Sequence, residues 1–292
     1  MEISRYGKTG NIAVFENTKQ LCGKHAKLKE AIRKSNAGQK FYPEKKTAVG
    51  KALAENVIPE KRYEKPAQVI VSKKRTLEAA ADYADRQVCV LNFASVSNPG
   101  GGVAKGSSAQ EEAICRCSTL YENLTEKTMW AKFYAPHRKE RNPLHNDDCI
   151  YTPEVVVFKT DTAYPRLLPE EKWYTVNVLT CAAPNLRARP SNGMNSGDGD
   201  KPVRISQVEL KRLHEKRMRK VLDIAAAEGN EVVILGAFGC GAFCNPPGVV
   251  AATMKTVVEE YRYQFQTIEF AVYCSPRDDE NYRVFQRALG RM

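Results

Sequence analysis

The residues with the clearest chemical potential are three glycines, Gly100-Gly101-Gly102, and the polar triplet Gln110-Glu111-Glu112 that follows after seven residues. Glycine loses more conformational freedom on folding than any other residue, so three in a row at the end of a buried strand mark a close approach of backbone to something else. A carboxyl group at the mouth of a pocket that also holds a diphosphate suits glycosidic cleavage through an oxocarbenium-like transition state. The usual glycosidase pair stands about 5–9.5 Å apart across the sugar, which two adjacent glutamates cannot do. One acid must then serve: it protonates the leaving oxygen and afterwards activates water, while a nearby diphosphate adds electrostatic support. On a helix, neighbouring side chains diverge by about 100°, so one glutamate faces the pocket and the other flanks it. Ser108-Ala109-Gln110-Glu111 also fits a capping box, which gives Glu111 a purely local alternative role.

A second loop, Gly236-Ala237-Phe238-Gly239-Cys240-Gly241-Ala242-Phe243, has glycines at three positions where main-chain amides could meet an anion without a Cβ in the way. A helix N-terminus beyond it would add partial positive charge. It has neither the Gly-Lys-Ser/Thr of a Walker loop nor GxGxxG spacing, and a tight strand-to-helix turn explains its glycines as well.

The elements that must hold these loops alternate. The patterning predicts strands over 68–71, 87–93, 155–158, 173–179, 231–235 and 267–274. It predicts helices over 76–85 (capped by Thr76), 108–124, 206–228, 248–263 and 281–289. Residues 128–146 read as irregular around one aromatic cluster, and 190–202 as a mobile loop. The fold class is therefore α/β, a parallel or mixed central sheet sandwiched between helices. Residues 1–65 form a helical accessory segment and 66–292 the main domain. Both glycine loops follow strands at their carboxyl ends, where such sheets bind ligands.

The composition is that of a globular protein, 42% hydrophobic and 27% charged in 292 residues. No apolar run reaches membrane-spanning length, and the start of the chain lacks the apolar core of a signal peptide, so a cytoplasmic monomer is expected. Several of the nine cysteines sit inside apolar runs and read as small buried hydrophobes. Cys115/Cys117 and Cys240/Cys244 lack CxxC spacing. His137, His145 and Cys149 could meet in space, but the two histidines read as surface residues in a loop rather than metal ligands, and no cofactor is expected. The net charge of +11 favours an anionic partner, although much of it lies in solvated runs: Lys45-Lys46, Lys73-Lys74-Arg75, and 211–220.

Asn92-Phe93-Ala94-Ser95, then Asn98-Pro99-Gly100-Gly101-Gly102, then Gln110-Glu111-Glu112 resembles the signature of bacterial-type poly(ADP-ribose) glycohydrolases, a branch of the macrodomain superfamily. The resemblance continues through Tyr151-Thr152-Pro153, Thr180 to Asn185, Gly236 to Phe243 and Phe270-Ala271-Val272, and so spans residues 65 to 290. It implies a three-layer α/β/α macrodomain. By it, Glu112 is the catalytic acid/base, and Glu111 bonds ribose hydroxyls. Asn98 and the triple glycine line the distal ribose, with Gln110 also at the substrate. Gly239, Cys240, Gly241 and Ala242 wrap the diphosphate, and Phe243 packs on the terminal ribose. Cys244, Pro246 and Pro247 depart from the family's pattern on the adenosine side, as do Cys115 and Cys117 behind the catalytic helix.

The resemblance implies cleavage of the ribose–ribose bond of poly(ADP-ribose) from chain ends. Removal of single ADP-ribose units from protein or nucleic acid is the second enzymatic reading. A non-catalytic reader of ADP-ribose or RNA is the third; paired carboxylates beside a diphosphate argue against it. No stable nucleic-acid partner is expected, because no sheet face interleaves aromatic and basic residues.

Overall fold

The computed structural model describes residues 7–44, 61–193, 195–275 and 278–292. The pair Lys45-Lys46 and part of the accessory segment lie outside the described residues. Two helices, α1 (Lys8–Lys24) and α2 (Ala26–Gly38), precede a short strand β1 (Lys40–Tyr42). Then come β2 (Gln68–Ser72), α3 (Thr76–Ala81), β3 (Val88–Phe93), α4 (Gln110–Cys117) and α5 (Leu120–Leu124). A helical stretch α6 covers residues 127–140, followed by β4 (Cys149–Val157), β5 (Tyr174–Cys181), α7 (Gln207–Ala227) and β6 (Val232–Leu235). The chain closes with α8 (Pro247–Tyr261), β7 (Thr267–Ala271) and α9 (Glu280–Leu289).

Seven strands form one sheet in the order β1-β4-β5-β3-β6-β7-β2. Within it β4 pairs antiparallel with both neighbours and the remaining pairs are parallel, so the sheet is mixed. Side chains alternate across each strand. Val88 and Val90 of β3 face a core with Phe15, Leu77, Ile114 and Phe133, whereas Cys89 and Leu91 face another with Met218, Leu222, Val257 and Phe285. Apolar residues on both strand faces thus require helices on both sides, and each fully buried Val, Leu or Phe contributes on the order of 1.5–3 kcal/mol.

The N-terminal helices and β1 are more intimate with the sheet than their composition suggested. Strand β1 extends the sheet edge beside β4, and Phe15 is buried edge-to-face against Tyr121, with ring centroids 4.8 Å apart. Lys159 reaches α1 through Val14 O (2.9 Å) and Thr18 Oγ1 (2.7 Å), and burial pushes its ammonium down to about 8.

Several expectations need correction. The helix predicted over 108–124 is two helices, because Ser118 is extended (φ −144°) and bridges Val157, while the amides of Phe158 and Lys159 take the Cys117 carbonyl. Thr76 is not a cap: α3 is entered from Arg75, and the amide of Leu77 is satisfied by Asp161 Oδ2 from across the chain at 3.0 Å. Residues 127–140 are helical rather than irregular. The 190–202 loop is pinned, not loose: Asn195 and Asp198 are buried, and Asp198 Oδ2 accepts from Asn185 Nδ2 (2.7 Å) and Asn195 Nδ2 (2.6 Å). His137 and His145 are buried rather than on the surface. His137 bonds Phe133 O and Asn146 Oδ1, and His145 bonds Ala183 O with its other nitrogen 3.2 Å from Asp198. Among the described residues no helix is long and apolar enough to cross a membrane.

Candidate active site

Helix α4 begins at Gln110, which places Glu111 and Glu112 in its first turn, where the partial positive charge of the helix start favours carboxylates. Gln110 ties this helix to the end of β3: its Oε1 accepts from the Phe93 amide (2.9 Å), and its Nε2 donates to Leu91 O (2.7 Å) and Thr76 Oγ1 (3.0 Å). Both amide donors are spent on the protein, although the side chain still borders the cavity described below. Gln110 therefore positions the two acids that follow.

Glu111 does not cap its helix. The residue preceding the first turn is Ala109, and the Glu111 carboxylate turns inward, accepting from the Ser95 amide (2.8 Å) and from Asn92 Nδ2 (3.3 Å). Glu112 Oε1 accepts from the Gly102 amide at 2.9 Å. The triple glycine is explained by these carboxylates. Gly101 has φ +59°, and a Cβ there would stand 2.7 Å from Glu112 Oε1 and 3.0 Å from Glu111 Oε2. Gly100, at φ +68°, would press its Cβ to 2.9 Å from the Tyr121 ring. The close approach read from the sequence is an approach to the two acids.

Burial first, and repulsion from Glu112 second, hold the Glu111 carboxyl well above the usual carboxylate range. A carboxyl raised on folding stabilises the fold fully below its unfolded value near 4.5, and that contribution declines as pH climbs from there toward the folded value. Glu111→Gln keeps the shape and one acceptor oxygen, and the partnerless Oδ1 of Asn92 can turn to meet the new amide. Thermal melts from pH 4.5 to 8 should therefore show a flatter decline for Glu111→Gln than for wild type. Parallel curves for the two proteins would show that Glu111 is charged in the fold.

Asn98 sits one turn before the acids. Its carbonyl accepts from the Gly101 amide (2.8 Å), and its Oδ1 from Arg138 Nη1 (3.2 Å). Against the same loop lies the 190–202 segment, with Asn195 Oδ1 accepting from Ser97 Oγ at 2.5 Å. Behind the loop the Lys8 carbonyl covers Gly106, where a Cβ would be 2.3 Å away.

The second loop runs from β6 to α8. Its own hydrogen bonds engage the amides of Phe238, Cys240, Cys244 and Asn245; those of Gly241, Ala242 and Phe243 meet no protein acceptor among the described residues. Gly239 has φ +80°, and its Cα packs against Ala183 and Asn245. The loop is held from inside by Asn245, a residue with no motif to single it out in the sequence. Asn245 Nδ2 donates to Pro184 O (2.7 Å) and Gly239 O (3.1 Å), and its Oδ1 accepts from His214 Nε2 (2.8 Å). Burial pushes His214 down to about 4, so it is neutral at pH 7 and donates one proton to Asn245. Asn245→Ala should leave the fold intact but loosen the loop, weakening about tenfold the binding of the ADP-ribose that the resemblance implies, since each hydrogen bond lost contributes around 1 kcal/mol net. Calorimetric titration checks this, and an unchanged affinity would show that the loop keeps its shape without the amide.

Between the second loop and the start of α4 lies a cavity of about 300 Å³, within the size range of ligand pockets; the triple glycine does not line it. Gln110, Gly239, Gly241, Ala242 and Phe243 border it, and Arg75, Asp161 and Tyr273 line it as well. Arg75 lies over the Tyr273 ring at 3.9 Å, and Asp161 Oδ1 is buried with no hydrogen-bond partner among the described residues. These three come from separate segments with no motif, and sequence reasoning missed them. Phe243 is half-buried, its ring 5.7 Å from that of His145. The two glutamates are nearly covered and lie beside Gln110 rather than on the cavity wall. Among the described residues no group of three His, Cys, Asp or Glu side chains could hold a metal ion.

A family model, the microbial-type PARG catalytic domain, matches residues 9–160, a span that holds α1, the triple glycine and both glutamates. The chain belongs to this family. Solved structures extend the likeness to nearly the whole chain. Poly(ADP-ribose) glycohydrolase from Thermomonospora curvata superposes with a TM-score of 0.81 at 31% identity, covering 96% of this chain and 99% of that one. The same enzyme bound to the inhibitor ADP-HPD gives 0.78 at 30% identity, over 95% and 98% of the chains. The Deinococcus radiodurans glycohydrolase in complex with ADP-ribose gives 0.72 at 30% identity, over 88% and 96%. No curated protein matches the sequence. The family's α/β/α architecture is thus present here, and its match reaches back to residue 9, into α1.

Proposed function

We infer that this protein hydrolyses the ribose–ribose O-glycosidic bond of poly(ADP-ribose) from chain ends, releasing ADP-ribose. The observation that carries the inference is the placement of Glu112, which is seated on the Gly102 amide two residues beyond Gln110, and Gln110 borders the cavity together with the second loop and its open amides. The terminal unit occupies that cavity. Main-chain amides of Gly241 and Ala242 meet its diphosphate beside Gly239, while Cys240, its own amide held by Ala237 O, shapes the turn; Phe243 packs on the ribose, and Asp161 Oδ1 offers an acceptor to the adenine amine. Asn98 and Gly100 to Gly102 face the distal ribose, and Glu111 meets its hydroxyls with the lone pairs that the Ser95 amide and Asn92 leave open.

Glu112 gives its proton to the bridging oxygen as the C1″–O bond breaks, and the ring oxygen and the diphosphate carry the resulting positive charge. Water then adds to C1″ and returns a proton to Glu112, leaving ADP-ribose and a chain one unit shorter. We take residues 1–65 as an accessory segment to the domain over 66–292, one whose α1 braces the first loop at Gly106. The nine cysteines stand as free thiols, which supports a reducing, cytoplasmic setting.

The test is direct. Wild-type protein is incubated with poly(ADP-ribose) and, separately, with mono(ADP-ribosyl)ated protein, and free ADP-ribose is measured. Release from the polymer supports the proposal. Release only from the mono-modified protein would replace it with the second enzymatic reading, and binding without release in either would make the protein a reader.

A further inference from the structure

The surface beside Asn98 carries an aromatic and cationic feature for which the cavity has no use. In the stretch over residues 127–140 the middle turn, Trp130–Tyr134, is a π turn, closed by the Ala135 amide bonding back to Trp130 O. Pro136 accounts for it: proline has no amide hydrogen, and its ring would collide with the Lys132 carbonyl in a regular helix, so the turn widens by a residue. Widening brings Trp130 and Arg138 to one side of the helix, with the guanidinium 5.7 Å from the indole ring. Trp130 stacks on Tyr134 (ring centroids 6.2 Å apart, interplanar angle 22°), yet it keeps 41% of its surface exposed while Tyr134 is buried.

Position gives this feature its meaning. Arg138 Nη1 donates to Ser97 O (3.1 Å) and Asn98 Oδ1 (3.2 Å), so it stands on the loop whose Gly101 and Gly102 touch Glu112. The cavity for the terminal unit is bordered by Gln110, and the Trp130 surface adjoins the loop at Ser97 and Asn98, which does not line that cavity. A chain cleaved at Glu112 must leave by the side that the cavity does not occupy. That remaining chain offers an adenine ring and a diphosphate in every unit, and the exposed Lys132 and Lys139 add positive charge near the platform.

We propose that Trp130 and Arg138 form a subsite for the penultimate ADP-ribose unit, its adenine stacked on the indole and its diphosphate against the guanidinium. The proposal rests on the glycohydrolase reading above and adds to it how the enzyme holds a polymer rather than a monomer. Stacking one base on an aromatic side chain changes affinity by roughly tenfold or more, and an arginine beside the ring favours the diphosphate.

Trp130→Ala, Trp130→Phe and wild type are compared on an oligomer of two ADP-ribose units for KM and kcat, and on ADP-ribose for affinity. Trp130→Ala should raise KM about tenfold, with kcat and ADP-ribose affinity within about twofold of wild type, and Trp130→Phe should recover most of the loss. An unchanged KM in Trp130→Ala, or an equal loss of ADP-ribose affinity, would overturn the subsite. Failure of the wild type to release ADP-ribose from the oligomer would instead overturn the glycohydrolase reading and take this inference with it.

Discussion

Glu112→Gln should lower the rate of ADP-ribose release from the polymer by about 10²- to 10⁴-fold, the usual contribution of a positioned general acid–base group, with ADP-ribose binding nearly unchanged. Glutamine keeps the length of the side chain and an oxygen to accept from the Gly102 amide, so the loop geometry survives. What it cannot do is give a proton to the bridging oxygen or take one from water. Glu111 is in no position to stand in for it, because its two oxygens are engaged by the Ser95 amide and Asn92. Single-turnover release of ADP-ribose and calorimetric binding together decide the matter. Equal rates in wild type and variant would remove Glu112 from the mechanism, and loss of binding alongside loss of rate would make it a structural residue.

What the sequence revealed of this site depended on local signals. The triple glycine, the acidic pair and the second glycine loop each lie within a few residues, and strand periodicity places both loops at strand ends; the structure puts them there. Roles that depend on distant partners were not legible. The pattern Ser108 to Glu111 satisfies the spacing of a capping box, but the amide that Glu111 finds belongs to Ser95, sixteen positions away and brought near only by the crossover from β3 to α4. Gln110 looked like a ligand contact, and only the β3 backbone shows why its donors are taken. The loop over 190–202 reads as mobile by composition, since the partners that pin it, Ser97 and Asn185, lie in other segments. The break at Ser118 and the helix over 127–140 were missed for a related reason: a bridge to Val157 and a proline-induced π turn both defeat a simple 3.6-residue period.

Gly101→Ala is the second substitution with a large expected effect, and it tests whether the glycine turn exists for the acids. The backbone at Gly101 has φ +59°, a conformation that costs a residue with a Cβ about 1–2 kcal/mol. The new methyl would also stand 2.7 Å from Glu112 Oε1, close enough that the carboxylate must move or the loop must open. Displacing a catalytic group by about 1 Å costs roughly 10²-fold in rate, so turnover should fall by that order while the protein remains folded. The same methyl at Gly241, where a Cβ meets open space, would not disturb Glu112. Gly241→Ala faces the diphosphate cradle instead and should act on ADP-ribose affinity. Comparing kcat and ADP-ribose affinity in the two variants separates the halves of the site. A Gly101→Ala protein with full kcat would mean that Glu112 tolerates displacement, and so that the proton comes from elsewhere.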